Sequence, residues 1–288
     1  MASILIAGCG YVGTRLARTL QQQGHEITVI VQSDSSNKKL QPLFQTLQID
    51  LDSTDNQHSF DQYDTVFYLV PPPSKGVVDT RLRHFLANIS VSALPETIVL
   101  ISTTGVYGDC GDDWIDETRQ ALPLADRAKR RYSAEQSLQT WCEDKQVRYR
   151  ILRVPGIYGP GKLPVARLRE QKPVLSLQES PWSNRIHVAD LVQACVCAMQ
   201  YEGKHTVFNI IDGHPSSMSD FFIRVAKAFN LPEPKQISLD ECKQIFTENM
   251  ISYLTESKRI NNLRMLQDLQ VDLKYPSLEE GLVDSQAE

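Results

Sequence analysis

The stretch that most restricts how this chain can fold is Ile4 to Gly13, four apolar residues followed by glycines at 8, 10 and 13. Four successive apolar residues bounded by turn formers suit a strand buried on both faces of a parallel sheet. The spacing GxGxxG then answers three steric demands. Gly8 lets the chain turn off the strand, Gly10 removes a side chain from the path of a pyrophosphate, and Gly13 lets the next helix approach the sheet. Val12, Leu16 and Leu20 fall at helical spacing, so a helix is predicted over Tyr11 to Gln22. The N–H groups of its first turn, at Tyr11 and Val12, and the positive end of its dipole would face phosphate. Gly24 ends the helix, and Ile27 to Val31 reads as the second strand. Strand, glycine turn, helix and strand within about 30 residues is the context that makes the motif a dinucleotide-binding expectation; the competing reading is a tight turn without a ligand.

Composition narrows the partners. The chain has 288 residues, 41% of them apolar, enough for one large domain or a large and a small one. Its net charge of −5 indicates no basic surface for nucleic acid, and no apolar run approaches the ~20 residues that span a membrane, so neither partner is expected. Met1-Ala-Ser leads straight into the first strand and leaves no room for a signal peptide. The six cysteines (9, 110, 142, 195, 197 and 242) form no CxxC pair and no disulfide-like framework, so reduced, inert thiols in a cytoplasmic protein are expected. The six histidines lack ligand spacing, and no metal site is inferred.

The second strand of such a unit normally closes on an acid that holds the adenosine ribose. Val31 occupies that place, with Gln32, Ser33 and Asp34 after it. Without a carboxylate at Val31, strict NAD selectivity is not expected. Gln32 and Ser33 can hydrogen-bond a 2′-phosphate and Lys38 or Lys39 can add charge, while Asp34 argues the other way. The cofactor expectation is NAD(P), leaning to NADP, against the reading of 33–39 as a polar loop that selects nothing. Leu47 to Ile49 reads as a third strand, followed by Asp50 and Leu51. Thr65 to Val70 is a buried strand stopped by Pro71, Pro72 and Pro73, which cannot continue a ladder. In an open α/β sheet that exit, at Val70 and Pro71, lies on the ligand crevice. A helix is predicted over 79–93 and a strand over Thr97 to Ile101, ending in Ser102-Thr-Thr-Gly-Val-Tyr-Gly108.

With these residues in view the chain resembles the extended short-chain dehydrogenase/reductases, the NAD-dependent epimerase/dehydratase relatives. The glycine motif, Asp50-Leu51 and 102–108 carry the likeness first. Leu152 to Gly161 then resembles the family segment LRxxxxYGPG, Arg185 to Asp190 resembles RxIHVxD, and Tyr275 to Leu282 resembles the entry to the C-terminal helix. The likeness runs in order through nearly the whole chain and is most like the atypical, YeeZ-like subgroup. It implies an α/β fold, a Rossmann-type doubly wound parallel sheet with a smaller C-terminal substrate lobe, and cofactor contacts at Asp50, Leu51 and Pro155.

The family's catalytic core is a Ser or Thr hydroxyl, a Tyr, and a Lys four residues later that lowers the tyrosine pKa so that it works as acid/base near neutrality. Thr103 matches the hydroxyl. Counting back from Glu135, which matches a family glutamate, Arg131 stands at the lysine and Arg127 at the tyrosine. Tyr132 is five positions away and on another face of the helix. The chain departs here from the standard hydride machinery. Two guanidinium groups at i and i+4 share a face and neither deprotonates. They are expected to clamp a carboxylate, a phosphate or the cofactor's own phosphate; a solvated basic helix face is the competing reading.

In the second half, helices are predicted over 163–171, over Leu191 to Met199, from a cap at Ser219 to Asn230, from near Ser238 and from Ser257, with a strand over Thr206 to Ile211. By resemblance Arg153 and Pro155 lie near the nicotinamide. Arg185 contacts a substrate phosphate or else makes a structural salt bridge, and His187 reads as structural. Residues 1–150 are expected to hold the cofactor and 151–288 mainly the substrate lobe, with about 151–160 and 186–212 returning to the core. Three functions compete. One is an NAD(P)-binding oxidoreductase or epimerase/dehydratase-like enzyme acting on an unknown small molecule, anionic if the arginines bind it. The others are a non-catalytic NAD(P)(H)-sensing binding protein, and a lyase or isomerase that uses the cleft without hydride transfer. A homodimer is left open.

Overall fold

Along the first strand, β1 (Ser3–Ala7), Ile4 and Ile6 join the core on one side of the sheet and Leu5 and Ala7 the core on the other, and all four are fully buried. Burial on both faces is what a central parallel strand requires. The computed structural model describes residues 1–53, 60 and 63–286. β2 (Glu26–Val31), β3 (Gln45–Gln48), β4 (Thr65–Tyr68) and β5 (Thr97–Thr103) follow, and Arg148–Val154 and Val207–Asn209 complete a seven-stranded sheet. Across the sheet the order is Val207–Asn209, Arg148–Val154, β5, β4, β1, β2, β3, and every pair is parallel. Chain order reverses at β1, the switch point where open α/β sheets bind ligands.

α1 (Tyr11–Gln22) and the helix Val188–Gln200 cover one face through Leu16, Leu20, Leu191 and Cys195. After α2 (Asp34–Leu40), α3 (Thr80–Ala87) and α4 (Asp126–Lys145) cover the other face through Leu82, Phe85, Leu138 and Cys142. The fold is thus the α/β Rossmann type that the resemblance implies. Away from the sheet, Tyr158, Val225, Leu278 and Leu282 form one smaller core and Leu175, Ile237, Cys242 and Leu254 another. All six cysteines are free thiols.

Local chemistry sets most element ends, and some differ from the expected ones. α1 has the predicted bounds, and Ser238 caps Leu239–Ile245 in a capping box with Glu241. The helix expected from Ser219 is instead Met218–Ala228, capped by Ser217, whose Oγ accepts from the Asp220 N–H at 3.0 Å. Ser219 is buried in the first turn and donates to the Leu175 carbonyl at 2.6 Å. No helix opens at Ser257. Its N–H donates to Asp109 Oδ1 at 2.8 Å, its carbonyl accepts from Cys110 N at 2.7 Å, and the chain enters a parallel pairing of Arg259–Ile260 with Trp114–Ile115. The helix expected over 79–93 is Thr80–Ala87, capped by Asp79, and that over 163–171 is Val165–Arg169. The helix around 191–199 starts earlier, at Val188, because His187 Nδ1 caps it. β3 ends at Gln48, before Ile49, and β4 ends at Tyr68, two residues before Val70. The strand expected over 206–211 is Val207–Asn209.

Candidate active site

The C-terminal ends of β1, β2 and β4 open onto a cleft of about 630 Å³ lined by the glycine turn, by Val31 and Gln32, by Leu51, and by Val70 and Pro71. Gly8 sits at φ +93°, and a Cβ there would lie 2.8 Å from the Leu69 carbonyl carbon. A Cβ at Gly13 would lie 2.4 Å from the Gly8 carbonyl oxygen, so the turn's own backbone excludes a side chain before the sheet does. At Gly10 a Cβ would meet nothing within 4 Å and would project into the open cleft. No side-chain hydrogen bond caps α1, and its first turn lines the cleft. A backbone cradle, a bare helix N-terminus and space at Gly10 fit a dinucleotide pyrophosphate. Arg81 and Lys162 also line the cleft and were not anticipated from sequence. Arg81 is held by Asp52, at 2.6 and 2.5 Å, and by the Pro71 carbonyl at 2.9 Å; its hydrogen bonds keep the Asp52 carboxyl below the usual carboxylate range.

Of the other expected cofactor residues, Tyr11 and Val12 are on the cleft wall. Asp50 accepts from Gln32 Nε2 at 3.0 Å, and Ser33 caps α2, accepting from Ser36 N at 3.3 Å; it is Ser36 that reaches the cleft. Asp34 accepts from Gln48 Nε2 at 2.6 Å.

A second cavity of about 500 Å³ adjoins the first, and Ile101, Arg131 and Ile157 line both. Thr103, Arg127, Arg131 and Pro155 come together on it. α4 explains the arginines: spaced by four, they fall on one helix face. Arg131 donates to the Val70 carbonyl at 3.0 Å; burial pushes its pKa down, opposed by the charge of Asp79, without making it a proton donor. Arg127 bonds Ser252 Oγ, stacks 3.6 Å over the Tyr253 ring and lies 3.7 Å from Glu256. Lys129 is exposed and paired with Asp126. Thr103 Oγ1 accepts from Gly105 N at 3.1 Å. Tyr253, Glu256 and Lys258 complete the wall, and sequence reading missed all three because nothing near them marks a site.

Behind this wall Arg153 grips Glu135 through Nη2 at 2.7 Å and Nε at 3.1 Å, with both side chains under a tenth exposed, and Ser102 Oγ donates to the same carboxylate. The Arg153 guanidinium lies 4.7 Å from the Tyr107 ring, whose hydroxyl donates to Asn209 Oδ1 at 2.8 Å. Arg153 therefore supports the site from inside the protein, where it was expected beside the nicotinamide.

Arg185 joins neither cavity. Its buried guanidinium donates to Ser216 Oγ and the Ser217 carbonyl, each at 2.7 Å, where a substrate phosphate or a structural salt bridge was expected, and burial pushes its pKa down to about 10. His187 caps a helix through Nδ1 and its Nε2 lies 3.5 Å from Asp284; burial pushes its pKa down to about 4, so it is neutral at pH 7. Among the described residues no three His, Cys, Asp or Glu side chains gather as metal ligands, and no helix is long and apolar enough to cross a membrane.

A glycine turn at the switch point of a parallel sheet, leading to an uncapped helix over a cleft, defines a Rossmann-type dinucleotide-binding fold. Residues 4–210 match the NAD dependent epimerase/dehydratase family, and the chain belongs to that family. Among solved structures it is similar to a functionally unknown conserved protein from Silicibacter pomeroyi DSS, with 27% identity, TM-score 0.85, and 100% of this chain and 99% of that one covered. It is also similar to a putative NAD-dependent epimerase/dehydratase from Methylobacillus flagellatus, with 26% identity, TM-score 0.76 and the same coverage. At 19% identity and TM-score 0.76, over 99% and 98% of the two chains, a UDP-glucuronic acid 4-epimerase from Bacillus cereus, in complex with UDP-glucuronic acid and NAD, shares the fold. A search of curated proteins finds no match.

Proposed function

We propose that this protein is an NAD(P)-dependent oxidoreductase or epimerase-like enzyme whose substrate is a small carbonyl or hydroxyl compound bearing a carboxylate or phosphate. Arg131 carries the reading: it stands on the wall common to the dinucleotide cleft and the second cavity, which Arg127 and Lys258 also line. In this reading residues 1–150 hold the cofactor and 151–288 mainly form the substrate lobe, and the likeness to an atypical, YeeZ-like subgroup agrees with the replacement of the family Tyr and Lys. A bound nicotinamide supplies or takes the hydride. The chain's own part is to fix the substrate anion with Arg127 and Arg131, to receive a substrate oxygen at Thr103, and to enclose both away from water. The Bacillus cereus relative, holding an acidic sugar nucleotide beside NAD, is consistent with an acidic substrate.

The test is loss of NADPH absorbance with a panel of carbonyl compounds, each acidic member matched to a neutral counterpart. Acidic members are expected to react and neutral ones to lag. Arg131→Lys is expected to weaken the acidic compound by tens-fold, about 2 kcal/mol, because an ammonium does not replace a planar bidentate donor. Equal reactivity of neutral compounds would remove the anion from the proposal. A second reading, an NAD(P)(H)-sensing binding protein, is favoured by the arginines at 127 and 131; NADPH binding without turnover of any compound would select it.

The cofactor is proposed to be NADP. Ser33, Ser35 and Ser36 hydroxyls cluster beside Gln32 where β2 ends, with Ser33 Oγ 3.1 and 3.0 Å from the other two, while Asp34 is engaged by Gln48. NADPH is expected to bind at least as tightly as NADH, and Val31→Asp to swing the preference toward NADH by about tenfold, ~1.4 kcal/mol. Competitive titration measures it; a strong native preference for NADH would defeat the assignment.

A further inference from the structure

Arg127 and Arg131 hold no transferable proton, so a hydride-transferring site here needs another group to give and take one. Of the residues lining the second cavity, three carry a side chain that titrates and can exchange a proton: Tyr253, Glu256 and Lys258. Tyr253 is half exposed, and its ring is covered by Arg127. Glu256 and Lys258 are placed differently. Their side chains are 8% and 9% exposed, and Lys258 Nζ lies 3.1 Å from Glu256 Oε2. The main chain beneath them is fixed on two sides. Lys258 N donates to the Trp182 carbonyl at 3.1 Å, and its own carbonyl accepts from Asn184 Nδ2 at 3.0 Å. Asp109 and Cys110 hold Ser257 between them. An amine so held is pre-organised rather than free to sample solvent, which is what a proton-transfer group requires. Glu256 also faces Arg127, so one carboxylate balances part of the charge of two neighbouring cations.

We propose that Lys258 is the acid/base of this site, exchanging a proton with the reacting oxygen of the substrate, and that Glu256 is its positioning residue. The proposal rests on the enzyme reading given above. In the reducing direction the carbonyl carbon takes the hydride supplied by the bound dinucleotide, and the carbon–oxygen double bond becomes single. The oxygen takes a proton from the Lys258 ammonium: one N–H bond breaks, one O–H bond forms, and a neutral amine remains that regains its proton from solvent. In the oxidising direction the neutral amine accepts the hydroxyl proton. Glu256 stays a carboxylate throughout, aiming the ammonium.

Two experiments distinguish this role from that of a structural ion pair. In the first, the unmodified protein is incubated with glyoxylate and cyanoborohydride, and the modified lysines are located by peptide mass spectrometry. An amine that gives up its proton and opens on the cavity condenses with the aldehyde and is trapped. Modification of Lys258 is expected. An untouched Lys258 alongside labelled surface lysines such as Lys172 and Lys243 would overturn the proposal. In the second, turnover of a reactive carbonyl from the panel is compared among the native protein, Lys258→Met and Lys258→Arg, with dinucleotide affinity measured alongside. Affinity should be unchanged, and Lys258→Met should lower kcat by about 10²–10⁴-fold. Lys258→Arg keeps the charge and the partner of Glu256 but no transferable proton, and should do no better; turnover restored by arginine would reduce the pair to scaffold. If the native protein turns over nothing while Lys258 is labelled, the enzyme reading fails and the exchangeable amine stands.

Discussion

Gly10→Glu is expected to remove dinucleotide binding while leaving the fold intact. The fold tolerates the change because Gly10 is not in the left-handed region and a Cβ there meets no atom within 4 Å. Binding does not tolerate it, because the new side chain enters the space left open at the uncapped start of α1 and carries the same charge as a pyrophosphate. Like charges brought together at a binding surface cost several kcal/mol; about 3 kcal/mol is on the order of 100-fold in affinity. Calorimetric titration with NADPH and NADH, beside a circular dichroism spectrum, measures both halves of the expectation. Undiminished affinity in the folded variant would take the glycine turn out of the binding site.

Arg153→Met is expected to have the largest effect on stability. It leaves the Glu135 carboxylate buried, with the Ser102 hydroxyl but without the guanidinium that now meets it through two nitrogens. Removing one member of a buried ion pair typically costs about 3–5 kcal/mol, whereas replacing both members by apolar groups is often close to neutral. Urea unfolding should therefore show a large loss in Arg153→Met and substantial recovery in Arg153→Met combined with Glu135→Leu. A single variant that loses less than about 1 kcal/mol would mean that the pair behaves like a surface one, wetted and replaceable.

Both predictions rest on features with different visibility in the sequence. The turn at Gly8 to Gly13, α1 and β2 are legible because the apolar period, the glycines and the helix stop lie within one short stretch and act on one another directly. The arginines at 127 and 131 are legible as a pair for the same reason, through helical periodicity. What they meet is not. Glu256 and Lys258 reach the cavity because Arg259–Ile260 pairs with Trp114–Ile115 and because Asn184 and Trp182 hold the intervening backbone, contacts between segments far apart in the chain. Ser217 and Ser219 show the limit at short range. Either hydroxyl can cap a helix, and burial of Ser219 against the Leu175 carbonyl, a tertiary fact, gives the cap to Ser217. Arg185 illustrates the converse: its motif is local, but the partners of its guanidinium are set by the strand pairing of Trp182–Ser183 with Ser216–Ser217.

The roof of the dinucleotide cleft is a latch between distant parts of the chain. Tyr11 of α1 donates its hydroxyl to the Pro160 carbonyl at 2.9 Å, and Arg15 reaches the same oxygen at 3.3 Å. Ile157 and Lys162, on either side of that proline, are part of the cleft wall. At this contact the glycine-turn helix and the loop that closes over it are 149 residues apart in the chain, so nothing local brings them together. Until the two segments meet the turn is an open shelf, so closure of the cleft is a tertiary event, and any local unfolding that frees Pro160 reopens it without disturbing the glycine turn itself.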